Sequence, residues 1–378
     1  MRPSMRPYRI AFLLRDAGEG GAERSSLRLA DGLSRRGHSV CVFFINARGP
    51  MLGAISRGIE TVDLRGRFFA FFFELAARKF DFLLPVYTSM RSLLAKRFMN
   101  RGALRGMKVI LSQRNMFTMD RNPIQTKLRF ARCRLLYPQA SVCVCISRGV
   151  AEEMARLGLL PEEKIRVVYN PVVTDGLKAQ MFEPIPPGPL GRFGLDGRAE
   201  ILGVGRLGSQ KDFATLVKAF SICAAQRDDI RLTILGEGKQ RESLEKLAQA
   251  LGIKDRVSLP GYVANPYPFM RKAALAVSTS LFEGFCNVVA EALACGCNVV
   301  STDCPSGPSE ILDGGKYGFL AKTGDPDDVA AKMQYALKSP LAREALMERA
   351  EFFSEARAVD GYCEIFESLF CGSRQESI

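Results

Sequence analysis

Two glutamates eight residues apart, Glu283 and Glu291, close the stretch EGFCNVVAE, the first in a loop and the second in the apolar helical run that follows. An ionised carboxylate accepts hydrogen bonds from hydroxyls, so Glu283 can face a sugar while Glu291 holds a ribose diol. A helix begins between them, near Asn287. Its first backbone N–H groups have no intrahelical partner and carry the positive end of the dipole, which suits a phosphate. Arg206 and Lys211 lie five residues apart after the run ILGV and could neutralise a diphosphate. Three glycine turns follow apolar runs: Gly205 after ILGV, Gly236 after RLTIL, and Gly261 with Tyr262 after RVSLP. Glycine at a strand's carboxyl end lets a ligand approach the backbone, and open α/β sheets bind ligands there. Taken singly, each turn is also ordinary loop punctuation, and Arg206 and Lys211 also read as solvated loop charges. Glu291 is less comfortable as a surface charge, because it stands between Ala290 and Ala292 on an apolar helix.

The elements needed to position these groups are legible. RIAFLL reads as a strand, AERSSLRLADGLSRRG as a helix ended by Gly37, and SVCVFFI as the next strand. The rhythm resumes with ILGVG, DFATLVKAFSICAAQ, RLTILG, RESLEKLAQALG, VSLPG, a short helix from Pro266, LAVSTS, NVVAEALACG and NVVSTD. Short apolar strands alternating with helical patterns predict parallel sheets with helices on both faces. The chain of 378 residues exceeds one ordinary core, so two doubly wound Rossmann-like α/β domains are expected. The Pro- and Gly-rich segment 183–198 reads as the linker. The expected division is thus an N-terminal domain over 1–182, a C-terminal domain over 199–353, and an amphipathic segment over 354–378 that could cross back onto the first domain.

Composition narrows the class further. The balance of 47% hydrophobic and 25% charged residues is that of a globular protein. No uncharged apolar stretch approaches the roughly 18–20 residues that span a bilayer, and the run Ile10–Leu14 is too short for a signal-peptide core. An integral or secreted protein is therefore not expected. The eleven cysteines show no CxxC spacing and read as reduced, buried thiols, with Cys143 and Cys145 on one strand face. Residues 1–180 hold 31 Lys and Arg against 14 Asp and Glu, and the excess peaks in 65–134. Nucleic acid, or an anionic membrane with a phosphorylated substrate, would each answer such a charge.

The segments GRLGSQKD, LGEG, PGY and EGFCNVVAEALACGCNVVSTDCPSGPSEIL resemble the family 4 retaining glycosyltransferases of GT-B fold. GEGGAERSSLRLADGLSRRGHSV is similar to that family's opening glycine loop and first helix. LSQRN (111–115) and CISRGVAEEMARLGLLPEEKIRVVYNPV also fall where the family has comparable segments, in colinear order. The part DCPSGPSEIL is similar to the subgroup that moves HexNAc or galactose units onto lipid-linked or other cell-envelope glycans.

The resemblance implies two Rossmann-like domains facing across a cleft, with the nucleotide-sugar donor on the C-terminal domain and the acceptor on the N-terminal one. It gives Arg206 and Lys211 to the diphosphate, Glu283 to the donor sugar together with the backbone of Gly284, Phe285, Cys286 and Asn287, and the amide near Val288 to the distal phosphate. Glu291 would take the ribose, and Gly261 and Tyr262 would lie against the base. Gly20 and Gly21 would let the first loop reach the phosphates. Arg206, Lys211 and Glu283 are the expected catalytic groups. UDP is the expected nucleotide, as substrate, with no other cofactor and no metal. DPDD at 325–328 reads as a helix N-cap rather than a metal motif. The family's histidine near the donor sugar is missing. The only histidine, His38, falls between the first helix and second strand, where a structural role is expected, and Thr88, Arg114 or Asn115 are candidates for the vacant place.

The run Arg65-Gly66-Arg67-Phe68-Phe69-Ala70-Phe71-Phe72-Phe73, with Arg78, Lys79, Arg91, Lys96, Arg97, Arg101 and Arg105, suits a segment lying in a headgroup zone, although about half of the phenylalanines are expected in the core. Peripheral association with the cytoplasmic face of a membrane is expected, each basic residue adding about 1 kcal/mol near anionic lipid. Other readings fit less well. A GT-B epimerase would carry more histidines and acids around its site. A phosphorylase would be far longer. A dinucleotide oxidoreductase would show G-x-G-x-x-G where Gly18, Gly20 and Gly21 stand. A nucleic-acid-binding protein would carry an aromatic-basic recognition signature, so no nucleic-acid partner is expected.

Overall fold

The computed structural model describes residues 6–18, 20–86, 106–117, 130–131, 133–187, 193–194 and 197–375. The chain divides into two compact units, Met1–Pro171 with Glu355–Ile378, and Val172–Ser354. The first is built on a parallel sheet of β1 (Arg9–Leu14), β2 (Ser39–Phe44), β3 (Glu60–Asp63), β4 (Phe82–Pro85), β5 (Lys108–Gln113), β6 (Val142–Cys145) and β7 (Ile165–Val167), in the order β3-β2-β1-β4-β5-β6-β7. The second is built on β8 (Ala199–Val204), β9 (Ile230–Leu235), β10 (Val257–Gly261), β11 (Leu275–Ser278), β12 (Val299–Thr302) and β13 (Phe319–Ala321), in the order β10-β9-β8-β11-β12-β13. Each sheet winds outward in both directions from its first strand. This leaves a switch point at the carboxyl ends of β1 and β4, and another at those of β8 and β11.

A parallel strand covered on both faces must be apolar at successive residues, and period-two alternation then divides its side chains between two cores. In β1, Ala11 and Leu13 join one buried cluster with Phe43, Phe71 and Tyr137. Ile10, Phe12 and Leu14 join the other, with Leu29, Val42 and Phe366. Cys143 and Cys145 share the first cluster, while Val142 and Val144 enter the second. Ten of the cysteines are described as free and buried. A hydrogen bond that the Cys143 thiol donates to Cys145, together with burial, pushes the Cys143 thiol well above its ordinary value, as expected of inert packing thiols.

The helix Glu355–Gln375 belongs to the first unit and packs along the helix Gly21–Arg35. The two approach closely at Gly32, where an added Cβ would stand 2.5 Å from Cγ2 of Val359. Ion pairs Arg35–Glu355 and Arg36–Asp360 flank this contact. His38 is buried in the same layer. Its Nδ1 accepts from the Tyr8 amide at 3.2 Å, its Nε2 faces the Cys363 thiol at 3.5 Å, and its ring stacks on Tyr8. The one histidine is thus held by packing.

The changeover between units falls after Pro171, not in 183–198. Val172 and Val173 donate to the Phe353 carbonyl at 3.0 and 3.1 Å, which ties them to the second unit. Asn265 Nδ2 donates to the Gln180 carbonyl and the Glu183 carboxylate, and Phe193 packs edge-on against Phe269. The Pro-rich segment therefore begins and ends on the second unit's own surface. Proline density marks where regular structure stops, and carries no information on whether the loop is packed. Asp325 caps the helix Pro326–Lys338, accepting from the amides of Asp327 and Asp328 at 3.1 and 3.0 Å. No described helix is long and apolar enough to cross a membrane.

Burial, with the Arg36 charge second, lowers the pKa of His38 below its ordinary value. The folded state therefore binds fewer protons than the unfolded chain as pH falls through the ordinary histidine range, and stability is lost over that window. In His38→Gln, the decline of Tm between about pH 7 and pH 5.5 should be shallower than in the native protein. Thermal scans giving equal slopes would show that His38 does not carry this dependence.

Candidate active site

Three glycine turns at the carboxyl ends of β8, β9 and β10 are stitched to one another. The Gly205 amide donates to the Leu235 carbonyl at 2.9 Å, Gly236 to the Gly261 carbonyl at 2.8 Å, and Leu207 to the Glu237 carbonyl at 2.9 Å. Gly236 has φ +148°, and a Cβ there would stand 1.8 Å from the Gly205 carbonyl oxygen. Glycine is required at Gly236 because backbone meets backbone. At Gly205 the neighbour is the Lys211 side chain, which would lie 3.1 Å from an added Cβ. The turn thus lets the lysine stem lie along the main chain.

That stem delivers the ammonium to a carboxylate. Lys211 Nζ lies 2.6 Å from Oε1 of Glu283, with side-chain exposures of 19% and 10%. Thr279 Oγ1 fixes the loop by donating to the carbonyls of Lys211 and Asp212 at 3.0 and 2.9 Å. Burial alone would lower the Lys211 pKa. Glu283, with the Cys286 and Cys304 thiols behind it, outweighs burial and holds the ammonium above its ordinary value. Glu283 also accepts from Ser280 Oγ at 2.7 Å and, at the limit of 3.5 Å, from Gln210 Nε2. Gln210 also donates to the Phe282 carbonyl, and its own carbonyl accepts from the Leu281 amide. Ser280 is fully buried, two residues past β11, and its carbonyl accepts from Thr302 Oγ1 at 2.6 Å at the end of β12.

The loop from Glu283 into the helix Asn287–Ala294 is pressed from the side by residues 304–308. Ser306 Oγ donates to the Gly284 carbonyl at 3.0 Å, and a Cβ on Gly307 would stand 2.1 Å from the Phe285 carbonyl oxygen. Phe285 is buried against Phe353. Cys286 takes a left-handed conformation, φ +74°, as the residue before the helix, and its carbonyl accepts from the Val289 amide at 3.0 Å. Its thiol is pushed up to about 11 by burial and by Glu283. Asn287 and Val288 are half-buried at the helix start. Glu291 lies further along the helix, 4% exposed, and accepts from the Tyr267 hydroxyl at 3.4 Å.

The sequence-predicted residues fall as follows. Lys211 and Glu283 are bonded. Arg206 is exposed on the same loop, and its guanidinium has no partner among the described residues. Gly284, Phe285, Cys286, Asn287, Val288 and Glu291 follow Glu283 through the loop into one helix, and Tyr262 is 48% exposed just past β10. Gly20 and Gly21 belong to the first unit, where Gly20 precedes the helix Gly21–Arg35 and an added Cβ would meet the Glu23 carboxylate at 2.3 Å. Thr88 lies outside the described residues. Arg114 directly follows β5 and donates through Nη1 and Nη2 to the hydroxyls of Ser25 and Ser26, at 2.6 and 2.8 Å. The Asn115 carbonyl accepts from Gln113 Nε2 at 2.5 Å. Gln210, Ser280, Thr302 and Tyr267 were not singled out. Their only signal was proximity in the chain to Lys211 and Glu283, or a place at a strand end.

Residues 193–352 match the family described as glycosyl transferases group 1, and residues 19–175 match glycosyltransferase family 4. The chain belongs to the family 4 glycosyltransferases, of GT-B fold. It is 30% identical over 244 residues to the lipopolysaccharide core biosynthesis glycosyltransferase LpsE of Rhizobium meliloti, covering 62% of this chain and 67% of that one. It is 31% identical over 226 residues to the N-acetylgalactosamine-N,N'-diacetylbacillosaminyl-diphospho-undecaprenol 4-alpha-N-acetylgalactosaminyltransferase of Campylobacter jejuni, covering 60% of this chain and 58% of that one. The fold is similar to that of Anabaena HepE solved with UDP and glucose, at TM-score 0.77, 17% identity, and coverage of 96% and 100%.

Gly236→Ala should cost more than about 2 kcal/mol, because strained backbone and a backbone clash coincide. Gly208→Ala, with nothing within 4 Å of its Cβ, should stay within about 0.5 kcal/mol of the native protein. Urea titrations of both decide it; equal midpoints would mean that the stitched turns do not constrain the loop.

Proposed function

We propose that the chain is a retaining hexosyl- or N-acetylhexosaminyltransferase, moving a sugar from a UDP-linked donor to a glycan or lipid-linked acceptor at the cytoplasmic face of a membrane, in cell-envelope glycan biosynthesis. The observation that carries the reading is the Lys211–Glu283 pair, set beside the start of the helix Asn287–Ala294 at the carboxyl end of the second sheet. A GT-B relative crystallised with UDP, and relatives named for lipopolysaccharide core and diphospho-undecaprenol glycans, support the substrate classes.

In this reading the donor diphosphate draws the Lys211 ammonium away from Glu283. Arg206, free on the same loop, adds a second cation, and the amides near Val288 meet the distal phosphate. These fixed positive groups stabilise charge on the departing diphosphate, the role a divalent cation fills elsewhere, so the reaction is proposed to need no metal and no other cofactor. Glu283, still held by Ser280 and Gln210, is left to accept from the donor sugar's hydroxyls. Glu291, oriented by Tyr267, accepts from the ribose, and Tyr262 lies against the base. Retention means that an α-linked donor yields an α-glycoside.

A screen of UDP- and GDP-sugars for donor hydrolysis without acceptor identifies the substrate. Lys211→Ala and Glu283→Gln should each lower kcat/KM by about a hundredfold or more, the usual effect of deleting one stabilising group at a leaving oxyanion. Circular dichroism should report both as folded. Activity near native in both variants would show that the donor site lies elsewhere.

A further inference from the structure

The helix Phe68–Arg78 resolves which of the clustered phenylalanines are core and which are not. Phe71 and Leu75 are fully buried under the first sheet, and Phe72 is partly buried against the same cluster. Phe69 and Phe73, four residues apart and therefore on one face, are 78% and 77% exposed. Large aromatics seldom stand so far into water on adjacent turns of one helix without a partner surface. Phe68 has its side chain outside the described set, and the cations Arg91, Lys96, Arg97, Arg101 and Arg105 lie outside the described residues.

The charges around this face are sorted by sign. Arg78, at the last turn, is neutralised by Glu60 and Glu74. The Asp63 carboxylate accepts from the amides of Arg65 and Ala47 at 2.9 and 3.0 Å. Arg65 and Arg67 before the helix and Lys79 after it are exposed; the Arg65 charge acts on the Asp63 carboxylate, whereas the side chains of Arg67 and Lys79 have no partner among the described residues. The exposed aromatic pair is therefore bracketed by two cations, Arg67 on one side and Lys79 on the other, whose counter-ions the described protein does not supply. Two apolar rings between unneutralised cations fit one kind of surface best: hydrocarbon beneath a layer of anionic headgroups.

We infer that Phe69 and Phe73 form the membrane anchor of the first unit, inserting into the headgroup zone of an anionic bilayer while Arg65, Arg67 and Lys79 meet lipid phosphates. The inference rests on the proposed membrane-side function and names the contact surface for it. It differs from docking by charge alone, which salt would abolish and loss of the rings would leave intact. It also differs from self-association, in which the two rings would pack against a second copy.

The chain has no tryptophan, so Phe73→Trp introduces a single reporter at the expected depth. Its emission should shift to the blue and be quenched by brominated lipid on adding phosphatidylglycerol-containing vesicles, and should hold steady with phosphatidylcholine alone. Flotation of the full chain should follow the same lipid preference, and Phe69→Ser/Phe73→Ser should weaken it about tenfold or more. An emission unchanged by anionic vesicles, native-like flotation of the double variant, or a dimer in size-exclusion chromatography that the double variant breaks would each overturn the anchor. A UDP-dependent rise in Tm, measured in the same variants without lipid, reports the donor site separately. Its absence alongside intact vesicle binding would sink the transferase reading and leave the anchor standing.

Discussion

A lysine and a glutamate, both largely withdrawn from water and bonded at 2.6 Å, set the terms for the second unit. Charges leave water at a cost that only a close partner and further hydrogen bonds offset. Here Thr279 pins the lysine's backbone, Ser280 and Gln210 add hydrogen bonds to the glutamate, and Thr302 holds Ser280. Three segments, at the carboxyl ends of β8, β11 and β12, are thereby fixed relative to one ion pair. The pair is complete without ligand. Under the proposed function this means that an incoming anion competes with Glu283 for Lys211, and the carboxylate it displaces remains oriented by neutral donors.

The glycine turns are the backbone counterpart of that constraint. Gly205, Gly236 and Gly261 end three adjacent strands, and the amides of Gly205 and Gly236 donate to carbonyls at the ends of the neighbouring strands. A side chain would collide with main chain at Gly236, with the lysine stem at Gly205 and with the Glu237 carboxylate at Gly261. The three turns thus bring main chain to the surface beside the switch point between β8 and β11. The same architecture in the first unit places the opening loop, the Ser25–Ser26–Arg114 hydrogen bonds and the end of β5 on the corresponding edge of its own sheet. Both halves therefore present backbone and hydrogen-bonded polar groups where a doubly wound sheet binds ligands.

The sheets were readable because a strand buried on both faces has to be apolar at successive residues, which IAFLL, VCVFF and LAV satisfy without reference to partners. The Glu283–Glu291 spacing was readable for a similar reason: a loop glutamate, a helix start and a helical glutamate are all local features. Long-range hydrogen bonding was not readable. Nothing in the order of residues says that Ser280 aims at Glu283, that Thr302 holds Ser280, or that Tyr267 reaches Glu291 across 24 positions. The linker failed on the same ground. EPIPPGPLGRFGLDGR carries the proline and glycine of a break in regular structure, but the contacts of Asn265 with Gln180 and Glu183, and of Phe193 with Phe269, keep those described residues on the second unit. The phenylalanine run divided into core and surface only once the helix phase was fixed by Phe71 and Leu75.

The titratable groups that move do so away from neutrality. Lys211 is held up by its carboxylate, the Cys286 thiol rises to about 11, and burial raises Cys304 beside it. The only histidine is pushed down and occupied by Tyr8 and Cys363 in the first unit's core. Nothing in that set is tuned to exchange protons near neutral pH. A site of this kind supplies standing charge: an ammonium, a guanidinium without a partner among the described residues, and amides at a helix start. Standing charge favours a reaction whose barrier lies in the growth of negative charge on a good leaving group, and gives little to one that waits on a strong base. Departure of a nucleoside diphosphate from a sugar is a reaction of the first sort, because the leaving oxygen is already weakly basic and needs electrostatic stabilisation more than a proton. The absence of an available histidine is therefore consistent with the chemistry proposed, and the burden it would otherwise carry falls on how rigidly Lys211 and Glu283 are held.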